Sequence, residues 1–174
     1  MVSVNGHIFL CGLMGVGKTT IGKELAKYCQ LEFYDLDHEI EDNSGKSITD
    51  LFLDKGESEF RLIETKTLKE VLKRDTPSVI ALGGGTLIKV ENQKLLKNHY
   101  SIYLQASASF LGQRLKNNND RPLLSGVDKT VKLKELLNER EDQYKNSLFE
   151  VCVENKTVAV IVKEIAKEIT SENS

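Results

Sequence analysis

The sequence predicts an α/β fold in which a parallel sheet of five strands carries helices on both faces. Two observations favour it: short apolar runs alternate with amphipathic helical patterns, and a glycine-rich loop follows the first apolar run. The chain has 174 residues, of which 40% are hydrophobic and 29% charged, as is usual for one globular domain. We therefore expect a single domain over residues 1–170 and a flexible tail over 171–174.

The glycine-rich loop, GLMGVGKT at residues 12–19, matches the pattern GxxxxGK followed by Ser or Thr. Its glycines let successive backbone N–H groups converge on phosphate oxygens, and the helix that opens near Lys18 adds the positive end of its dipole. The alternative is a turn that binds nothing, but a strand before the loop and a helix after it are what a phosphate-binding loop (P-loop) requires. We expect a nucleotide to be held by Gly12, Gly15, Val16, Gly17, Lys18, Thr19 and Thr20, and Mg²⁺ by Thr19.

Two carboxylates follow the second apolar run. We predict a strand over residues 31–37 (LEFYDLD), in which Asp35 and Asp37 project from the same face toward the crevice where such folds bind ligands. Two acids aimed at one place indicate a metal ion or a proton transfer. The alternative is a solvated turn before the next helix.

Residues 47–72 carry two helical patterns separated by Gly56. Ser47 is placed to cap the first, short helix, and the second, longer helix has an apolar stripe. Glu57, Arg61 and Glu64 lie on an adjoining face, four and three residues apart. This spacing by itself favours a surface ion-pair set over a site.

A strand over residues 78–82 runs directly into Gly83, Gly84 and Gly85. Three consecutive glycines at a strand end are costly in chain entropy, so we expect a ligand to approach the backbone there. A flexible hinge is the alternative.

The second half of the chain continues the alternation of helices and strands. We predict a weak helix near 91–97, a strand at 100–104, helices at 107–116 and 131–146, a strand at 149–153 and a closing helix that includes Val158 and Ile169. Residues 117–126 (NNNDRPLLSG) combine polar, turn-rich flanks with Arg121 and two leucines. This composition is typical of a lid that closes over a ligand.

Charge and patterning argue against several classes of function. A formal charge of −2 and a pI near 6.0 provide no basic field for nucleic acid. No apolar run approaches about 20 residues and no signal-peptide pattern opens the chain, so we expect a cytoplasmic protein without a membrane span. We also expect a monomer. The cysteines at 11, 29 and 152 lack disulfide or metal-binding spacing and are expected to be buried thiols, and the histidines are interpreted as ordinary residues.

In this order and at these intervals, the motifs resemble the shikimate kinase family over nearly the whole chain. The resemblance rests on GLMGVGKT at 12–19, DLD at 35–37, GESEFR at 56–61 with Glu64, GGG at 83–85, RPLL at 121–124 and the helix bearing Arg140 and Tyr144. It implies a three-layer P-loop kinase of the nucleoside-monophosphate-kinase type, with a substrate-binding segment at about 35–64 and a lid at about 117–126. The implied reaction is transfer of phosphate from ATP, with Mg²⁺, to the 3-hydroxyl of shikimate, giving shikimate 3-phosphate and ADP in the pathway to chorismate and aromatic amino acids.

The resemblance also implies how the reacting groups are handled. Asp37 would contact the hydroxyl that is phosphorylated, and Asp35 would hold Mg²⁺ through water. This division fits the chemistry, since an attacking hydroxyl needs a proton acceptor while the phosphates need cations. Lys18 and Arg121, the latter from the lid, would act on the transferring phosphate, so the expected catalytic residues are Asp37, Lys18 and Arg121.

Substrate and adenine contacts follow from the same resemblance. Arg61 and Arg140 would hold the substrate carboxylate, the kind of group that a planar, always charged guanidinium recognises well. Glu64 would orient Arg61. The amides and carbonyls of residues 83–85 would line the substrate hydroxyls, and Arg114 would stack near adenine.

Two alternatives stay open. One is another small-molecule or nucleotide kinase of the same fold, such as a gluconate or adenylate kinase. The other is a nucleotide-dependent switch, because Asn155 and Lys156 fit the start of the guanine-reading motif NKxD, and residues 42–45 match DxxG. Val158 stands where the NKxD aspartate should be, and the DxxG match has no preceding strand, so these motifs are out of context.

Overall fold

Five short strands form one sheet in the computed structural model, which describes residues 4, 6–116 and 128–172. The strands are β1 (Ile8–Cys11), β2 (Glu32–Asp35), β3 (Ser78–Ala81), β4 (Tyr100–Gln105) and β5 (Phe149–Cys152). They pair in parallel in the order β2-β3-β1-β4-β5. This arrangement confirms the predicted five-stranded parallel sheet.

Helices connect the strands. They are α1 (Lys18–Cys29), α2 (Leu36–Ser44), α3 (Ile48–Val71), α4 (Val90–Leu95), α5 (Ala108–Arg114), α6 (Lys129–Lys145) and α7 (Val158–Glu172), with a 3₁₀ turn at Thr86–Ile88. All four residues of β1 and all four of β3 are buried. Because successive strand side chains point to opposite sides, both faces of the sheet are covered, as the sequence predicts.

The predicted strand over residues 31–37 is wrong at its C-terminal end. Strand β2 stops at Asp35, whose side chain accepts the backbone N–H of Asp37 and so caps helix α2, which begins at Leu36. Asp37 therefore lies in the first turn of a helix, and the argument that two strand residues share a face does not apply to it. The sequence analysis did not identify this helix.

The break at Gly56 is confirmed. Helix α3 carries one residue with non-helical dihedral angles, Gly56 at φ 77° and ψ 170°, so it consists of two helical segments. Ser47 caps the first segment by accepting the backbone N–H of Asp50. Helix α3 packs against helix α2, and many of its other side chains are exposed to solvent.

Three further predictions can be compared with the structure. Cys11 and Cys29 are buried as expected, but Cys152 is exposed because it lies on the edge strand β5. Helix α7 extends to Glu172 and so takes in the first two residues of the predicted tail. Residues 117–126, with Arg121, and residues 173–174 lie outside the described part of the chain.

Within the described part, no helix is both long enough and apolar enough to cross a lipid bilayer.

Candidate active site

The loop between β1 and α1 lines a cleft of about 540 Å³. Gly12, Gly15 and Gly17 have φ angles of 134°, 82° and 105°, a region that residues with a side chain rarely adopt. At Gly12 there is also no space, since a Cβ atom would lie 2.6 Å from the backbone oxygen of Leu104. Helix α1 begins at Lys18, so its unsatisfied N–H groups and the positive end of its dipole lie at this loop.

Lys18 and Thr19 project from the start of α1. The Lys18 ammonium group donates to the backbone oxygens of Gly12, at 2.8 Å, and Leu13, at 3.2 Å, and is thereby held over the loop. The Thr19 hydroxyl donates to Asp35 Oδ2 at 2.6 Å. The structure therefore brings together Thr19 and Asp35, the two residues that the sequence analysis assigns to Mg²⁺.

This pair fits a magnesium ion that is bound together with a nucleotide. Mg²⁺ prefers oxygen ligands, keeps several waters and is usually bound through one or two protein groups plus substrate phosphates. Across residues 6–116 and 128–172, no three or more His, Cys, Asp and Glu side chains are grouped to hold a metal ion by themselves. One hydroxyl and one carboxylate beside a phosphate-binding loop are the donor set expected for Mg²⁺ with ATP.

The other nucleotide-side residues lie around the same cleft. Thr20 is exposed and lines it, while Val16 is buried and contributes its carbonyl to the loop. Arg114 Nη1 donates to that Val16 oxygen at 3.3 Å, and its guanidinium lies 5.7 Å from the centre of the Phe110 ring. Arg114 is thus fixed at the edge of the cleft, where a base could stack on it.

A second, smaller pocket adjoins the cleft. The cleft and the pocket share four lining residues, which are Met14, Asp37, Ile48 and Gly84. Asp37 therefore lies at the boundary between the cleft and the pocket. The cap from Asp35 fixes the first turn of α2 and with it the Asp37 backbone, whose N–H lies 3.2 Å from Asp35 Oδ1. One hydrogen bond therefore joins the Asp37 backbone to the Asp35 carboxylate.

Arg61 projects into this second pocket from α3. It is only 9% exposed, and its Nη1 donates to Glu64 Oε2 at 2.8 Å while its Nη2 donates to Glu57 Oε1 at 3.2 Å. Burial alone lowers the pKa of Arg61, but the attraction and hydrogen bonds of Glu64 and Glu57 outweigh it, and the net shift is upward. The guanidinium is therefore a permanent cation inside the pocket. The surface interpretation is wrong for Arg61 and for Glu64, which is 1% exposed.

Arg140 enters the pocket from α6 and is 6% exposed. Its Nη1 donates to the Gly84 oxygen at 3.2 Å, and its buried Nε has no hydrogen-bond partner among the described residues. The Tyr144 hydroxyl donates to the same Gly84 oxygen, so one carbonyl of the glycine turn fixes both side chains. The Arg140 guanidinium is thus a fixed cation in the wall of the pocket, a group that favours an anionic ligand.

Two of the three glycines, Gly83 and Gly85, leave room for the charged side chains of this pocket. A Cβ atom at Gly85 would lie 2.3–2.7 Å from atoms of the Arg61 guanidinium. One at Gly83 would lie 2.8 Å from Glu64 Oε1 and 2.9 Å from Asp37 Oδ1. Gly83 and Gly85 are therefore required because charged side chains pack directly on their backbone, which differs from the predicted approach of a ligand alone.

Several lining residues were not predicted as site residues. The centres of the Phe52 and Phe60 rings are 4.4 Å apart with their planes inclined by 34°, and the Arg61 guanidinium lies 6.0 Å and 5.2 Å from these centres. The two aromatic residues flank the Gly56 break, which is the signal that could have indicated a shared pocket. Thr86, directly after the glycines, hydrogen-bonds Glu64 and carries no spacing signal.

The chain is similar to known proteins in both sequence and structure. The family model described as shikimate kinase matches residues 14–171. The shikimate kinase of Rippkaea orientalis is 43% identical over 164 residues, which cover 94% of this chain and 87% of the relative. That of Sulfurihydrogenibium sp. is 37% identical over 164 residues, which cover 94% and 97% of the two chains.

Solved structures agree with the sequence matches. The shikimate kinase of Acinetobacter baumannii, solved in complex with shikimate, superposes with a TM-score of 0.91 at 33% identity and covers 96% of this chain and 94% of that one. A gluconokinase from Sinorhizobium meliloti has a TM-score of 0.71 at 21% identity, which reflects the common fold. The predicted resemblance and the P-loop kinase fold are confirmed, and the chain belongs to the shikimate kinase family.

Proposed function

We propose that the protein transfers the γ-phosphoryl group of ATP to the 3-hydroxyl of shikimate, giving shikimate 3-phosphate and ADP. One observation carries the proposal: Asp37 lies at the boundary between the P-loop cleft and a pocket that contains two buried arginines. A phosphate donor in the cleft and an acidic acceptor in the pocket would meet at this carboxylate. Membership of the shikimate kinase family supports this reaction and the use of ATP with Mg²⁺.

Asp37 and Lys18 would serve the transfer itself. The Asp37 carboxylate is placed to orient the substrate hydroxyl and to accept its proton as the new P–O bond forms. Lys18, held over the P-loop, would neutralise charge on the β- and γ-phosphates. Mg²⁺, held by Thr19 and through water by Asp35, would supply further charge neutralisation at the phosphates.

Arg61 and Arg140 would bind the substrate carboxylate. Both guanidinium groups are buried, and both contact the wall of the same pocket. The adjacent Phe52 and Phe60 rings give that pocket an apolar side, which suits the carbon ring of a small hydroxy acid. The relative from Acinetobacter baumannii that was solved with shikimate supports this choice of ligand.

Arg121 would complete the site from the lid at about 117–126, where it would act on the transferring phosphoryl group. The sequence supports this part of the proposal, because Arg-Pro-Leu-Leu offers both a cation and apolar side chains that can exclude water. We also propose that the protein acts as a monomer in the cytoplasm, as expected from the sequence.

An ATP-consumption assay with shikimate, gluconate, AMP and water as acceptors tests the proposal. We expect turnover with shikimate far above that with the other three, and ³¹P NMR of the product should place the new phosphate on the 3-hydroxyl. Acceptance of gluconate or AMP with none of shikimate would identify another kinase of this fold. ATP hydrolysis that is independent of any acceptor would favour a nucleotide switch.

A further inference from the structure

A buried polar network lies behind the pocket that contains Arg61. Thr86, in the 3₁₀ turn that follows the glycines, is completely buried, and its hydroxyl donates to Glu64 Oε1 at 2.7 Å. The other oxygen of the same carboxylate, Glu64 Oε2, accepts from Arg61 Nη1 at 2.8 Å. Glu64 thus uses one oxygen to hold the guanidinium and the other to be held by Thr86.

The position of the Thr86 hydroxyl is itself fixed. Its backbone N–H donates to the Gly83 oxygen at 3.2 Å, and its own carbonyl accepts from Asn92 Nδ2 at 2.8 Å. Asn92 belongs to α4 and is completely buried. Because both backbone groups of Thr86 are bonded, the position of its hydroxyl is set by the turn and by α4, which are different elements from α3, the helix that carries Glu64.

The Thr86 hydroxyl also holds Glu64 against repulsion from the Asp37 carboxylate. Glu64 Oε1 and Asp37 Oδ1 both pack on the same side of Gly83, within 2.8 Å and 2.9 Å of the position of a Cβ atom. The two carboxylate oxygens are therefore within about 6 Å of each other, the range in which like charges repel appreciably. A donor on Oε1 keeps the Glu64 carboxylate in place beside Arg61 in spite of this repulsion.

We propose that Thr86 is a positioning residue for the substrate carboxylate: its hydroxyl fixes Glu64, and Glu64 fixes the guanidinium plane of Arg61. Thr86 contacts no substrate, and its effect reaches the ligand only through these two side chains. The inference rests on the proposed function, since it assigns the substrate carboxylate to Arg61. Without the hydroxyl, Glu64 Oε1 would be a buried acceptor without its donor, and Glu64 and Arg61 would shift together.

The test is Thr86→Val, which replaces the hydroxyl by a methyl group of similar size, compared with Thr86→Ser, which keeps the hydroxyl. We expect Thr86→Val to raise KM for shikimate on the order of tenfold, because a hydrogen bond to a charged group is lost, while KM for ATP stays constant and kcat changes little. Thr86→Ser should restore the KM of the wild type.

Thr65→Val is the matched control. Thr65 is also buried on α3, next to Glu64, but its hydroxyl donates to the backbone oxygen of Arg61 at 2.9 Å and does not contact the carboxylate. The chemical change is the same, and we expect no change in KM for shikimate. Equal effects of Thr65→Val and Thr86→Val would show a general packing effect and overturn the proposal.

A double-mutant cycle separates positioning from simple destabilisation. If Thr86 acts through Glu64, Thr86→Val should add little to the KM of a Glu64→Gln variant, whereas independent effects would multiply. Should Thr86→Val not fold, Thr86→Ala enters the same cycle. An unchanged KM in folded Thr86→Val overturns the positioning role alone, while a wild-type enzyme that does not phosphorylate shikimate refutes the proposed function and this inference with it.

Discussion

The Thr19 hydroxyl donates to Asp35 Oδ2 across 2.6 Å, although the two residues come from different strand–helix units. The second oxygen of Asp35 accepts the backbone N–H of Asp37 and begins helix α2. One carboxylate therefore joins the proposed magnesium ligand to the backbone of the proposed base. This dual use allows its charge and its capping function to be tested separately.

Asp35→Asn should weaken the use of Mg²⁺ while it preserves the helix. Asn caps helices about as well as Asp, so stability should change little, but a neutral amide attracts the hydrated cation less. We expect the Mg²⁺ concentration for half-maximal activity to rise about 10–100-fold, as for other residues that contact a metal through water. Asp35→Ala should show the same Mg²⁺ effect and also lose about 0.5–2 kcal/mol of stability in urea unfolding. An unchanged Mg²⁺ requirement in both variants would contradict the assignment.

Asp37→Asn should abolish transfer with little effect on ATP binding, because Asp37 faces the boundary of the two pockets and not the loop. The expected loss of kcat is about 10²–10⁴-fold, the usual contribution of a general base. Asp42→Asn, an exposed change on the same helix, is the control and should keep full activity. A loss below about tenfold in Asp37→Asn would exclude this carboxylate as the base.

Arg61→Lys and Arg140→Lys should each weaken shikimate binding although the charge is kept. An ammonium group cannot reproduce the planar, two-pronged contact of a guanidinium with a carboxylate. Isothermal titration calorimetry should show a loss on the order of tenfold in affinity for each variant, equal to about 1.4 kcal/mol. Arg74→Lys changes an arginine that pairs with Glu39 outside both pockets, and we expect it to bind shikimate normally.

Arg121→Ala should lower kcat by roughly 10³-fold or more if Arg121 acts as arginine fingers do, with a smaller effect on ATP binding. Hydrogen exchange over residues 117–126 should slow when an ATP analogue binds and slow further with shikimate. Identical exchange in all three states, together with full activity of Arg121→Ala, would leave this segment as a simple connection.

Two histidines at the other end of the sheet predict a loss of stability in acid. His7 Nδ1 lies 2.8 Å from Ser78 Oγ, and the His7 backbone N–H donates to His99 Nδ1 at 3.2 Å. Burial lowers the pKa of both rings below 6.5. A hydrogen bond with the Arg74 backbone opposes this shift at His7, while repulsion from Arg74 at His7 and from His7 at His99 adds to it. The folded protein therefore resists protonation that the unfolded chain accepts, so this contribution to stability is complete above pH 6.5 and is lost as the pH falls below it.

The measurement is the thermal midpoint between pH 7.5 and 5.5. His99→Gln keeps an acceptor for the His7 N–H but does not titrate, so its midpoint should fall less steeply with pH than that of the wild type. His38→Gln removes an exposed histidine and should keep the slope of the wild type. Equal slopes for all three proteins would refute the assignment.

Local signals explain which features the sequence predicts correctly. Residues that are close together in the sequence determine the P-loop, the helix caps and the strands, and the order of the motifs identifies the family. The end of β2 is different, because LEFYDLD suits a strand as far as Asp37, and only the hydrogen bond from the Asp37 N–H to Asp35 shows that a helix has begun. A pattern of strand residues cannot indicate whether the Asp35 side chain continues a strand or caps a new helix.

Burial of the ion pair and exposure of Cys152 depend on distant contacts. The spacing of Arg61 and Glu64 predicts that they pair, but their burial requires the glycine turn and Thr86, which lie about 20 residues further along the chain. Cys152 is exposed because β5 is at the edge of the sheet. The residues of β5 do not by themselves determine where that strand lies in the strand order. Such properties arise from topology and not from local pattern.

The position of β1 has a consequence for how the protein is made. β1 leads into the P-loop, yet it pairs with β3 and β4, whose residues Val79 and Tyr100 lie opposite Ile8. At about 5–20 residues per second, a ribosome would finish those partners several seconds after the loop. The strands that support the phosphate-binding loop are thus in place only late in synthesis, because β1 must pair with distant segments before the loop is fixed. ATP would then act as a folding ligand, and at 100 times its Kd it would stabilise the completed sheet by about 2.7 kcal/mol.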